Sequence, residues 1–445
     1  MSLTAIIFAL VYFTGLILTF YNPVYGVITY IFEWHNHPPY FWWGDALPDL
    51  RWSYTIALAT LISFFINRNR LKPMLVKPDL KILIWVCFII LNMFVVSYMF
   101  ALFPDASFEK TMDVVNKLML FYLLVSLMRT QQDYRILMWV IIVCVSHMGF
   151  IAWDVGSNRD IGVIAPNATE ENALSAHVMA MLPFFGIYFL LSNRWQKIFI
   201  LLAVPFCLNL IILANSRATV VGLMAIGMFS VLLMRGKYRM LVVVGIIGAT
   251  ALFLNLTNES FSERQHTDVS DNSAQSRLWI WGGAFEMWKE HPMGVGDGGF
   301  EELSMSYIPE INSPKSQHNT FVAIFTDWGL LGLLLYLGLL THAFMITVQV
   351  KRLSKWRPEL RWYYLNTTAI QLSLIGISAA GVFHSRQYAE VVYWLIAFAI
   401  AQKRLVQNEI AEIDLEESGE TSEAELIPIS ENGNGLPIGQ RQGMG

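Results

Sequence analysis

Long apolar runs separated by short polar intervals dominate the chain. The runs cover residues 3–20, 23–33, 52–67, 80–100, 111–128, 134–153, 172–192, 196–214, 216–234, 238–256, 319–349, 362–382 and 388–404. Most approach or exceed the ~20 residues a helix needs to cross a hydrocarbon core, and none alternates like a barrel strand. A segment in lipid must satisfy its own backbone, so the pattern predicts an all-α polytopic membrane protein with about 12 transmembrane helices. The second run is too short to cross alone and follows Asn22-Pro23, which marks it as a broken or interfacial piece. The predicted divisions are an N-terminal transmembrane bundle (1–256), a long polar loop (257–318), C-terminal transmembrane helices (319–404) and a tail (405–445).

Composition sharpens this picture. Charged residues make up only 14% of the 445 positions, far below the roughly 25% of soluble domains. Lysine and arginine then give the orientation, because positively charged loops stay in the cytoplasm. One alternating set of loops, including those with Arg68, Arg129, Arg194, Arg239, Lys355 and Lys403, is the more basic at every turn. The opposite set is longer in total and poorer in cations, so it faces outward, and with it the 257–318 interval. The tail is rich in Glu, Ser and Gly with few aromatics, which predicts a disordered cytoplasmic segment. Net charge is −4 and no basic patch stands out, which argues against nucleic acid as a partner and leaves membrane lipids as the surroundings. Cys87, Cys144 and Cys207 all lie inside apolar runs, so they read as small buried apolar residues rather than a disulfide framework.

The outward segments hold the polar chemistry. The first, EWHNHPPYFWWGDALPDLRW, groups Trp34, Tyr40, Trp42, Trp43 and Trp52 around prolines and reads as an interfacial aromatic belt with a re-entrant loop. His35 and His37 lack a third metal ligand nearby, and Asp297, Glu301 and Glu302 are adjacent acids on a wet loop, so no metal site is assigned. Arg217 stands at the outer junction of two runs with almost no loop between them. A junctional arginine either snorkels or lines a polar cavity, and its rigid fork suits a diphosphate. Arg277 opens SRLWIWGGAFEMWKEHP, where Leu278, Trp281, Phe285 and Trp288 share a helical face. That spacing predicts an amphipathic helix on the membrane surface, with Ser276 as N-cap and Arg277 in its first turn. The glycines after Pro292 lack the preceding strand and following lysine of a phosphate loop, and read as a tight turn.

His318 stands immediately before a long apolar run. It either caps the helix or, as a neutral imidazole, takes a proton near pH 7. Asn319 either orients it or begins the helix. Asp113 and Lys117, four residues apart, predict a membrane ion pair, and Glu390 lies at an outer helix end near His384, Arg386 and Tyr388. Lys117, Glu390 and Arg386 are therefore supporting candidates, by structural pairing or acceptor binding.

Arg217 in NSRATVVG, Arg277 in its tryptophan-rich helix, and HNTFVAIFTDWGLLG at 318–332 together resemble the O-antigen ligase and polymerase superfamily of bacterial inner membranes. The N-terminal NPVYGVITYIFEW more narrowly resembles the O-glycosylation ligases associated with exosortase A systems. The resemblance implies a metal-independent, inverting GT-C glycosyltransferase in the inner membrane, with no cofactor and an active site facing the periplasm. Its donor would be an undecaprenyl-diphosphate-linked glycan. The acceptor would be a glycolipid, a protein or a second lipid-linked glycan. It further implies that Arg217 and Arg277 hold the diphosphate and His318 activates the acceptor hydroxyl. A transporter of lipid-linked glycan, or a structural partner in export, is the competing class.

Overall fold

The computed structural model describes residues 2–157, 160–234, 236–257 and 272–418. Fifteen α-helices cover these residues, with no named strand among them. In chain order they are α1 Leu3–Tyr21, α2 Val24–His35, α3 Trp52–Ile66, α4 Lys81–Met99, α5 Pro104–Leu127, α6 Gln131–Val155, α7 Glu171–Leu191 and α8 Arg194–Ala214. They continue as α9 Arg217–Leu233, α10 Lys237–Leu256, α11 Asn272–Glu290, α12 Gly299–Tyr307, α13 Thr320–Ser354, α14 Arg361–Gly381 and α15 Glu390–Ser418. Seven are long and apolar enough to cross a membrane, and α3 and α9 are shorter apolar helices. The chain is a polytopic membrane protein. α14 lies at the centre, buried along most of its length and packed on α7, α9, α13 and α15. α10 is the opposite case, with no buried residue.

Tertiary bonds sort the loops onto two ends, as the charge pattern predicts. At one end Lys403 bonds Asp79 at 2.6 Å, Lys72 pairs with Glu412 at 3.1 Å, and Arg129 reaches the Lys72 carbonyl at 2.9 Å. At the other end Leu102, Ser107, Val295, Thr320 and His384 interlock.

Three expectations need correction. α15 continues to Ser418, well into the segment expected to be disordered, because its polar residues find partners: Asn408 accepts from Leu75 N at 2.7 Å, and Tyr363 bonds Glu409 at 3.3 Å. Residues beyond 418 lie outside the described residues. The tryptophans of the first loop do not form a belt. Trp34, Trp43 and Trp52 are buried and only Trp42 is exposed; Phe8 packs on Trp43 and Trp52, and Tyr12 hydrogen-bonds the Trp52 carbonyl at 2.8 Å. Burying the rings against α1 covers more apolar area than a wet interface would. Cys87 is exposed on the outside of the bundle, whereas Cys144 and Cys207 are buried.

The run expected as one helix at 319–349 is broken. Gly329, at φ 72° and ψ −177°, interrupts α13 in a region of backbone space that only glycine occupies readily. The break frees carbonyls that each cost about 1–3 kcal/mol if buried unpaired. The glycine turn after Pro292 fills the gap: Val295 N bonds Thr326 O at 2.9 Å and Gly296 N bonds Asp327 O at 3.1 Å. Asn92 of α4 supplies a third donor, to Trp328 O at 2.8 Å. Approach is so close that a Cβ on Gly329 would lie 2.6 Å from the Met293 carbonyl carbon, and one on Gly294 2.6 Å from the Asp327 oxygen. The glycine turn is thus a plug in a broken spanning helix, and its amides are committed to the protein.

Candidate functional site

Three segments meet at this end of the bundle. The first is α11, which begins at Asn272, so Arg277 occupies its second turn rather than the first, and Ser276 is not its cap. The face of α11 is also shifted from the expected one. Ile280, Ala284 and Met287 are buried against Phe300 and Ile308, while Leu278 and Phe285 are exposed. The reason is that α11 packs on α12 and α13 rather than on a lipid surface alone. Trp281 and Trp288 stay partly buried, the latter 5.2 Å from the Phe325 ring.

The second segment is the approach to α13. Asn319 caps the helix, accepting from Phe321 N at 2.8 Å and Val322 N at 3.2 Å, so it begins the helix rather than orienting the histidine. His318 is forced into the left-handed region, φ 47°, and its Nε2 lies 3.2 Å from Ser316 Oγ. Gln317 on its other side is buried and anchored: its Nε2 donates to Thr326 Oγ1 at 2.7 Å and to Asp327 Oδ1 at 3.2 Å.

The third segment, the turn between α14 and α15, was only glimpsed in the sequence. Thr320 Oγ1 donates to the His384 carbonyl at 2.8 Å and accepts from Arg386 N at 2.9 Å. Gln387 Nε2 reaches the other oxygen of Asp327 at 3.4 Å. Asp327 therefore ties the residue before His318 and the residue after Arg386 to one point. Phe383 lies under Arg277, 5.5 Å from guanidinium carbon to ring centroid, a cation–π distance.

Arg277, His318, His384 and Arg386 thus share one electrostatic neighbourhood. His318 keeps a solvent-accessible edge, yet the protein around its ring displaces water, and Arg277 and Lys315 add positive charge. These influences outweigh Glu170 and Glu301 and hold its pKa below the ordinary imidazole range. Burial first, then Arg386, His318 and Arg277, push His384 down to about 3. Both imidazoles are neutral at pH 7. Burial lowers Arg386 to about 10, with Glu170 opposing, so it stays a cation.

Arg217 opens α9 directly after Asn215, which turns the chain with φ 50°, and Ser216 accepts from Thr219 N at 3.4 Å. Its helix is bonded to α7 through Thr219 and Ser175 at 2.9 Å, and α7 begins just after Glu170, which faces His318 and Arg386. Lys117 and Glu390 gather elsewhere. Lys117 is buried and bonded to Asp113, and it lines a small cavity with Glu390, Tyr393 and Trp394. Asn167 approaches Glu390 at 3.4 Å. His35 and His37 separate: His35 Nε2 lies 3.2 Å from His177 Nε2, and His37 bonds Glu33. No group of three metal-ligating residues occurs among the described residues. Asp297 bonds Tyr388, and burial raises its pKa against the pull of Lys110.

Residues 201–337 match the family model for O-Antigen ligase. The match covers about a third of the chain and supports a likeness to the O-antigen ligase and polymerase superfamily. The matched stretch holds Arg217, Arg277, His318 and the Gly329 break, so the superfamily core coincides with two of the three converging segments. That family is one of ligase-type enzymes of polysaccharide biosynthesis that act on lipid-linked glycans and acceptors. The turn from Phe383 to Gln387 lies outside the match. No curated protein sequence matches the chain.

Proposed function

We propose that this protein transfers a glycan from undecaprenyl diphosphate to an acceptor hydroxyl at the periplasmic face of a bacterial inner membrane. The observation that carries the reading is that the segments bearing His318 and Arg277 meet on one turn: Thr320 bonds the His384 carbonyl, and Phe383 lies under the Arg277 guanidinium. A base and a fixed cation brought together serve the two ends of one displacement. The acceptor oxygen attacks the anomeric carbon from the face opposite the leaving group, which inverts it, and His318 takes the hydroxyl proton. The bond from that carbon to the diphosphate breaks with its electron pair on the departing oxygen. Arg277 and Arg217 stabilise that charge with charge-assisted, forked hydrogen bonds. Fixed cations supply the charge a metal ion would bring, so the mechanism is metal-independent. Asn319 acts by beginning α13, and Lys117 and Glu390 support the bundle beneath the site or contact the acceptor.

The preferred acceptor is the hydroxyl of a glycolipid or a protein, as the N-terminal resemblance to O-glycosylation ligases implies. The same chemistry with a second lipid-linked repeat as acceptor would make a polymerase. Purified protein incubated with lipid-linked repeats alone separates the two. No product until another acceptor is added supports the ligase, whereas a ladder of longer chains overturns it in favour of the polymerase.

A further inference from the structure

Arg386 is only 8% exposed. Its Nε has no hydrogen-bond partner, and no carboxylate pairs with its guanidinium among the described residues. Its neighbours share the condition: Ser385 Oγ and Gln387 Oε1 are also buried without partners. The main chain of the same turn is anchored through Thr320 and through Ala389 N to Arg386 O at 3.0 Å. A rigid backbone therefore presents three consecutive side chains with unused polar atoms. Buried polar atoms are almost always bonded, and a buried cation without a counter-charge is costly. Glu170 lies within electrostatic reach but is exposed at the end of its loop, so it is no resident counter-ion.

Arg386 also lines a cavity among α13, α14 and α15. Thr320, Tyr336 and Ser378 bring hydroxyl groups to it, and Phe321, Leu340 and Ile377 make its walls apolar. The cavity is about 10 Å³, room for a single water, so what the guanidinium can take is a compact anion such as a phosphate at the turn itself.

We propose that the Arg386 turn is a further phosphate-binding point, which grips the diphosphate of the lipid-linked donor. This rests on the transferase reading above. The guanidinium supplies parallel donors to phosphate oxygens, and Thr320 holds the turn at a fixed offset from His318, two residues earlier.

The test uses the full chain in nanodiscs of zwitterionic lipid, with inorganic pyrophosphate and a polyprenyl diphosphate as separate calorimetric probes. Arg386→Gln should weaken both probes by roughly 10- to 100-fold, the range for lost hydrogen bonds to a charged group, with Arg386→Lys between it and wild type. The acceptor KM should stay unchanged, which a general structural defect would not allow. Wild-type pyrophosphate affinity in both Arg386 variants, with loss in Arg277→Gln, overturns this inference and leaves the transferase reading standing. Failure of wild type to bind either probe overturns the transferase reading itself. Should Arg386→Gln not insert, Arg386→Lys decides.

Discussion

The two ends of this bundle treat positive charge in opposite ways. At the basic end two lysines are matched, Lys403 with Asp79 and Lys72 with Glu412, and Arg404 is tied to the Val76 carbonyl at 3.1 Å. At the other end Arg277, Arg386, His318 and His384 crowd together, each imidazole pushed toward neutrality first by burial and then by the cations beside it. Matched charges fasten loops to helices, and their free energy is complete within the protein. Crowded like charges are a local cost that an anionic substrate relieves. The contrast separates fastening from function more sharply than burial does, because both ends are well packed.

The comparison can be broken first at the break in α13. Gly329→Ala places a Cβ against the Met293 carbonyl and forces a residue into a glycine-only conformation. The plug should then be expelled, moving Arg277 away from His318, and misplacement of this kind costs on the order of 100-fold in rate. Transfer in proteoliposomes should fall by that amount, with a lowered Tm. Normal transfer would show that the break does not position the site.

A smaller effect concerns charge around the base. His318 works unprotonated, so the rate must fall as pH drops through its pKa, below the ordinary imidazole range. Lys315→Gln removes a charge that lowers this pKa, so the acid limb of the rate profile should move to higher pH. Glu170→Gln removes one that raises it, and the limb should move to lower pH. Shifts of the same sign in both variants would contradict the electrostatic account. The smallest effect belongs to the basic end: Lys403→Met should cost about 1 kcal/mol of stability or less, read as a small fall in Tm. Its transfer rate should match wild type, and a large loss of activity would erase the distinction between the two ends.

Much of the fold was legible in the sequence because spanning helices must be long and apolar, which leaves runs with clear ends. The break in α13 was not, since Gly329 inside an apolar run reads equally as a packing glycine. Its meaning depends on a turn more than thirty residues earlier. At the site, Arg277 and His318 stood out as polar residues at membrane junctions. The Phe383–Gln387 turn was harder to see because Thr320 and Asp327 hold it through side-chain bonds across more than sixty residues. The buried face of α11 was mis-phased for a related reason: Leu278 and Phe285 are more apolar than Gly283 and Ala284, yet small residues allow the close approach to Ile308. The extension of α15 was missed because its polar residues look disordered until Lys72 and Leu75 are placed beside them.

The most direct test of the account is glycan transfer by His318→Ala, with membrane insertion checked in the same preparation. Loss of a general base predicts a fall of roughly 100- to 10,000-fold while the protein stays folded and still binds the lipid-linked diphosphate. Full transfer by His318→Ala would contradict the claim that this histidine takes the acceptor's proton.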